Sequence, residues 1–541
     1  MRRQVRPPRQ SGIGLLLLLV LSGVLALVVI LNLLPKQPTE QERERLTQIA
    51  LARAKEALIS YAVNSMDQAA TVVPGYLPCP ADDVLGGPNE EGNTKPVCGS
   101  RNVTVLGLLP FKSLGIEPLR DGWGECLWYA VSGTFKSGDN ATKAEMVNWD
   151  TAGQIEVLAS DGVTLLAGGT PDARAAAVVI APGRSLSQNR APAANAAQCG
   201  NNFNPAAYLE SDPGLTYGGN AVTGNNAVSA VANAVSVLVN GRVDATTRRE
   251  FVNDRMAAIT PKDLFDAAMR RTDMIGPPTP MANPMDWDRG RWAQGRIRTL
   301  LWSVAQCVAT YEMEWGSSRP TGDRRQLWAA PLTFAANSDI VANDKYHDVQ
   351  GSLEGRAPFQ ILTTSPYMPA AFTFTGRTAS TTCDFGPTAA NWWQHWKDQI
   401  FYAASPDYAP DSMTTGRHGT VTIDPNAVTC NLSNNRCLTV NGATATRYAA
   451  VVFFAGRKLG NQRRWPDNGD RMNVANYLEG GVAQPGAATP GTNAQRIDPA
   501  FAAGYDYITG PETASFNDLA VCISFDPSTS ANPRDPVLRF C

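Results

Sequence analysis

The stretch "AAVVIAPGRSLSQNR", Ala176 to Arg190, returns as "AAVVFFAGRKLGNQR", Ala449 to Arg463. A chain that states an apolar run, a glycine and a basic loop twice in the same order is constrained to build one local unit twice. Further pairs keep the order. Trp123, Leu127, Tyr129 and Ser132 are matched by Trp396, Ile400, Tyr402 and Ser405. Asn204-x-Ala206-x-Tyr208-Leu209-Glu210 is matched by Asn473-x-Ala475-x-Tyr477-Leu478-Glu479, and Phe251, Asn253 and Asp254 by Phe516, Asn517 and Asp518. Gly107-x-x-Pro110-Phe111 is echoed by Gly355-x-x-Pro358-Phe359, and the helical pattern Leu51–Tyr61 by Leu301–Tyr311. The cysteines are not shared, so disulfides lie outside the common plan.

Each unit reads as a leading helix, a loop-rich insertion, a strand at the Trp/Tyr motif and an apolar run of a length suited to a strand buried on both faces. The glycine that ends that run, Gly183 or Gly456, leads into a polar loop. The expected class is α+β, helix on a mostly antiparallel sheet. "IGPPTPMANP" is too rich in proline for the interior of a helix or sheet and marks a boundary. The expected domains are a first unit over 39–274, a linker over 275–287 and a second unit over 288–541. The repeated Gly-Arg-x-Leu and Tyr-Leu-Glu motifs occur in both copies, which favours a fold signature over a ligand site.

The N-terminus adds a second signal. Gly12 to Leu34 carries no charge, and at about 1.5 Å per residue such a helix spans the roughly 30 Å hydrocarbon core. Arg2, Arg3, Arg6 and Arg9 precede it and Lys36 alone follows closely. The positive-inside rule then gives a basic cytoplasmic leader over 1–11, a single-pass transmembrane helix over 12–34 and a periplasmic bulk. The competing reading is a cleaved secretory signal, but the run exceeds the usual h-region of about 7–15 residues. After Pro35, Thr39-x-x-Glu42 forms a capping box. Leu46, Ile49, Ala50, Arg53, Ala57 and Leu58 then trace one face of a helix to Tyr61.

Composition narrows the function. Net charge is −2 with 18 % charged residues, and no basic block recurs beyond the leader, which argues against nucleic acid as a partner. The ten cysteines form no CxxC pair, a pattern that suits an oxidising compartment and not a zinc ribbon. Short loops suggest the pairs Cys79–Cys98, Cys430–Cys437 and Cys522–Cys541.

An apolar N-terminal helix behind a short basic leader ending in glycine, running into an α+β head, resembles a type IV pilin or a type II secretion pseudopilin. "AKEALISYAVN", "YLPCPADD", "GLLPFKSLG", "WGECLWYAVS" and "FVNDRMAAIT" resemble large prepilin-like proteins more specifically. The resemblance covers most of 12–270 and, more weakly, 290–525. It implies a long N-terminal transmembrane/amphipathic helix followed by two tandem pilin-like domains. It also implies cleavage after Gly12 by a prepilin peptidase, methylation at Ile13, and assembly with other pilin-like subunits through the apolar helix at the bacterial inner membrane. One residue departs from the pattern: Leu17 stands where pilins carry a glutamate that neutralises a neighbour's amine. That departure suits a subunit at the filament tip, outside the cell.

No G-x-S-x-G, Walker loop or HExxH is present, and His347, His395 and His418 show no ligand spacing. His395 in "NWWQHWKD" reads as part of an aromatic core cluster. Two acidic loops offer oxygen donors of the kind Ca²⁺ takes: Asp82, Asp83, Asn89, Glu90, Glu91 and Asn93, and then Asp467, Asn468 and Asp470. Neither has EF-hand spacing, and a solvated turn is the plainer reading. No other cofactor is implied. The leading expectation is a non-enzymatic, membrane-anchored, minor component of a type IV pilus or type II secretion-like filament, at its tip or its priming step. The alternative is a membrane-anchored periplasmic enzyme or binding protein acting on envelope or surface glycan.

Overall fold

The computed structural model describes residues 16–25, 38–64, 74–81, 91–137, 146–186, 190, 199, 203–217, 220–221, 224–227, 230–232, 234–271, 295–315, 325–362, 372–373, 392–414, 417–421, 436–443, 446–465, 469–479, 492–501, 504–525 and 536–541. Helix α1 (Glu40–Asn64) opens where Thr39 Oγ1 accepts from the Glu42 amide at 3.2 Å. Its buried face is Thr47, Ala50, Leu51, Ala54, Leu58 and Ala62, while Leu46 and Ile49 stay exposed, so the face lies round the helix from the one expected. Small residues decide this, because alanines let the helix lie close on the sheet. Gly122 sits under the first turn, where a Cβ would come within 2.1 Å of the Arg43 carbonyl oxygen.

In the first half, β1 (Val103–Leu108), β2 (Trp128–Val131), β3 (Ala177–Ala181), β4 (Ala230–Ala232) and β5 (Arg255–Ile259) form an antiparallel sheet in the order β4-β1-β2-β3-β5. Helix α2 (Pro261–Met269) follows, with Thr260 and Asp263 forming its capping box. In the second half, helix α3 (Arg296–Trp315) lies against a sheet of β6 (Glu354–Arg356), β7 (Ile400–Ala404), β8 (Ala450–Phe454), β9 (Leu519–Ser524) and β10 (Val537–Phe540), antiparallel and in that order. Four strands of each sheet correspond, β1-β2-β3-β5 with β6-β7-β8-β9; the fifth joins opposite edges. Register agrees: Tyr129 lies opposite Gly107 and Val179, and Tyr402 opposite Gly355 and Val452. Tyr129 Oη donates to the Pro78 carbonyl at 3.0 Å and Tyr402 Oη to that of Leu327 at 3.1 Å.

The expected fold needs correction. Among the described residues no helix is long and apolar enough to cross a membrane. The described helical part of the apolar run is residues 16–25, which at about 1.5 Å per residue reaches only about half the thickness of a bilayer core. The long transmembrane/amphipathic helix is therefore not supported, and neither is the single-pass inner-membrane placement that depended on it. Among the described residues antiparallel sheets dominate, most of them small, and helices are few. One hydrophobic cluster runs through both halves, from Leu51, Tyr129 and Phe265 to Leu301, Trp396 and Val452. The physical reason is the aromatic stretch 392–396, which packs across the boundary: Trp396 meets Trp149 edge-on at 4.7 Å and Phe265 at 5.9 Å.

Candidate functional site

The processing residues Gly12 and Ile13 lie outside the described residues, as do Asp82, Asp83 and Glu90 of the first acidic loop and Asp467 and Asn468 of the second. Glu91 is buried. One carboxylate oxygen accepts from the Cys199 amide, and burial raises its pKa. It faces a disulfide, Cys126–Cys199, that the sequence did not suggest. Among the described residues no group of three or more His, Cys, Asp or Glu side chains could hold a metal ion. Asp470 faces Arg463 at 3.5 Å. Cys79 is bonded to Cys98 and Cys522 to Cys541; Cys437 is disulfide-bonded, and Cys430 lies outside the described residues.

The repeated motifs come together as two copies of one polar cluster. In the first half the Glu210 amide donates to Asp254 Oδ2 at 3.2 Å, and the Asn253 amide to Glu210 Oε2 at 3.1 Å. In the second half the Glu479 amide donates to Asp518 Oδ2 at 2.8 Å, and the Asn517 amide to Glu479 Oε2 at 3.0 Å. An asparagine closes each cluster. Asn226 donates to Asp254 at 2.7 Å and Asn493 to Asp518 at 2.9 Å, and each bonds one further backbone segment through both its amide oxygen and nitrogen. An arginine clamps each loop. Arg190 donates to the carbonyls of Gly183 and Tyr208, and Arg464 to those of Gly456 and Tyr477. Burial, and then the adjoining glutamate, pushes the carboxyls of Asp254 and Asp518 well above the usual range, because two neighbouring acids in a dry site cannot both ionise. Repetition flagged Glu210, Glu479, Asp254 and Asp518; Asn226 and Asn493 carried no such signal.

The histidines sit apart. His395 Nδ1 accepts from the Val147 amide at 2.9 Å and its backbone carbonyl from Asn148 at 2.8 Å, so it belongs to the seam between the halves. His418 lies between Glu354, at 2.5 Å, and Tyr505, at 3.1 Å, while His347 Nδ1 is 3.1 Å from the Asp348 carbonyl.

The seam itself is polar as well as aromatic. Asp150 Oδ2 accepts from Gln399 at 2.9 Å and from Arg464 at 3.3 Å, and the Asp150 carbonyl accepts from Arg471 at 3.2 Å. Lys458 and the Trp465 indole both donate to Asp172, the latter at 2.8 Å. Beside this seam the halves leave a cleft of about 1140 Å³, with Asp518 in its wall. With this geometry in place, no protein family, no curated protein and no solved structure matches the chain.

Proposed function

We propose that the chain is a non-catalytic, minor subunit of a pilin-like filament, acting at the tip or at the priming step. The observation that carries this reading is the helix at 16–25: Leu16, Leu17, Leu18, Leu19, Val20, Leu21, Val24 and Leu25 each leave more than half of their surface exposed. An apolar helix that its own chain does not cover is stabilised by burial against other chains, at about 25 cal/mol per Å². Two features support a non-catalytic head. The amides of Asn253, Glu210, Asn517 and Glu479 occupy oxygens of the paired acids. Each pair is also in direct contact, whereas glycoside cleavage needs carboxyls about 5 Å or more apart.

Leu17 supports the tip position, since a subunit with nothing above it meets no amine that requires a carboxylate. Mass spectrometry of the mature N-terminus tests the reading. A terminal peptide beginning at methylated Ile13 is the expected result; an intact Met1 overturns it. Within such a filament Leu17→Glu leaves assembly largely unharmed, whereas Leu19→Arg abolishes it by burying an unpaired charge.

A further inference from the structure

The cleft between the halves is walled by Trp149, Thr260 and Met269 on one side and by Phe454, Leu519 and Phe540 on the other. Small-molecule sites usually enclose roughly 300–1,000 Å³, so there is room here for a whole ligand with a ring or chain. Most charges in the lining cancel where they stand. Lys458 pairs with Asp172, Lys262 with Asp266, and Arg457 with Glu512 at 3.3 Å. Asp518 is held by the Glu479 amide and Asn493, and its raised pKa favours the neutral acid.

Two cations remain. Arg270 is exposed at the rim. Arg298, on α3, is only 9 % exposed, and its guanidinium lies 4.7 Å from the centre of the Phe540 ring. It makes no hydrogen bond or ion pair among the described residues, and its Nε is buried without a partner. Its two terminal nitrogens keep access to solvent, so four of its five donors are open to a ligand. Partly desolvating a guanidinium with no counter-charge is destabilising, and a methionine would pack on Phe540 without that cost. Burial also lowers the pKa of Arg298, as expected for a guanidinium lacking a counter-charge.

We propose that this cleft binds a small organic anion, a carboxylate or phosphate carried on an apolar body, with Arg298 gripping the anionic head through its fork and the aromatic walls holding the body. The inference needs only the folded halves and stands apart from the filament reading. The test titrates the full-length protein with naphthyl phosphate, naphthoate and the neutral naphthol, following tryptophan fluorescence and calorimetry. One anion is expected to bind at one per chain and more tightly than naphthol, and the preference between the two anions identifies the head. Arg298→Met is expected to weaken the anion roughly tenfold or more, to leave naphthol unchanged, and to raise the melting temperature of the ligand-free protein. Should Arg298→Met fail to fold, Arg298→Lys keeps the charge without the fork and is expected to weaken the anion several-fold. Wild-type affinity in the variant that folds, equal binding of naphthol, or no binding of either anion at millimolar concentration overturns the proposal.

Discussion

Asp150 of the first half and Arg464 of the second face each other at 3.3 Å, each side chain 1 % exposed. Arg464 also clamps the Gly456 loop, so one guanidinium holds its own loop and the neighbouring half together. The burial that raises the pKa of Asp150 outweighs the pull of Arg464 and Arg471. A buried pair of this kind is worth little against an apolar replacement, but breaking it strands a charge. Asp150→Ala is therefore expected to cost about 3–5 kcal/mol in urea unfolding. Arg464→Met also removes the clamp on its own loop, so the pair is isolated by a double-mutant cycle: Asp150→Leu with Arg464→Met is expected to cost less than the sum of the two single replacements. Strict additivity would show that the two side chains do not stabilise each other.

Asp121 contributes a pH dependence whose sign follows from its raised pKa. It accepts from the amides of Trp123 and Glu125, both at 2.9 Å, and of Gly183 at 2.8 Å. Burial nevertheless raises its pKa to about 6. A raised carboxyl means that the folded state holds a proton that the unfolded state has already released. Its stabilising contribution is thus fully present below about pH 4 and is lost as pH rises through 6. About two units correspond to about 3 kcal/mol. Asp121→Asn is expected to flatten stability between pH 4 and 6, whatever it does to the absolute value. Parallel curves for the two proteins would assign the slope elsewhere.

Two of the three disulfides that join described cysteines, Cys79–Cys98 and Cys522–Cys541, each close a separation of 19 residues. A loop of that length is worth about 3 kcal/mol on the chain-entropy account. Replacing either pair by alanine is expected to lower stability by about that amount, with the denaturation midpoint shifting by similar intervals. Losing Cys522–Cys541 is also expected to speed amide exchange in β10, the edge strand it fastens beside β9. Unchanged exchange in Val537–Phe540 would show that backbone pairing alone secures that strand.

Local signals were readable in the sequence and distant ones were not. The strand at Tyr129 keeps its tyrosine, the alanine after it and the serine beyond, and the apolar run repeats as AAVV, so their register can be read from the chain. Matching letters nevertheless paired Arg190 with Arg463, whereas Arg464 reproduces the contacts of Arg190. The second loop is one residue longer before that arginine, and Arg463 instead stacks on Trp465 at 4.2 Å. Asn226 and Asn493 occupy equivalent places, yet they lie at different distances from their glutamates and in unlike surroundings. Arg298 means nothing in sequence, because its isolation depends on Phe540 and on a cleft wall drawn from both halves. Hydropathy measures the apolarity of 12–34, yet among the described residues no helix is long and apolar enough to cross a membrane.

The two turning glycines offer the sharpest comparison between the halves. Gly183 and Gly456 both follow a buried strand with left-handed φ, +67° and +61°. That conformation alone costs an alanine roughly 1–2 kcal/mol. Their neighbours differ. A Cβ on Gly183 would meet the Asn253 carbonyl oxygen at 3.1 Å, a contact that a small shift relieves. A Cβ on Gly456 would stand 2.6 Å from Asn517 Cγ. That side chain cannot easily retreat, because its amide nitrogen donates to the Arg457 carbonyl at 2.7 Å and its backbone amide to Glu479 at 3.0 Å. Gly183→Ala is thus expected to cost about 1–2 kcal/mol and Gly456→Ala about 3 kcal/mol or more in chemical unfolding. Adding Asn517→Ala to Gly456→Ala removes the obstructing atoms, so the double variant is expected to lose less than the sum of the two single variants. Strict additivity would mean that the backbone conformation, and not the Asn517 contact, sets the cost at Gly456.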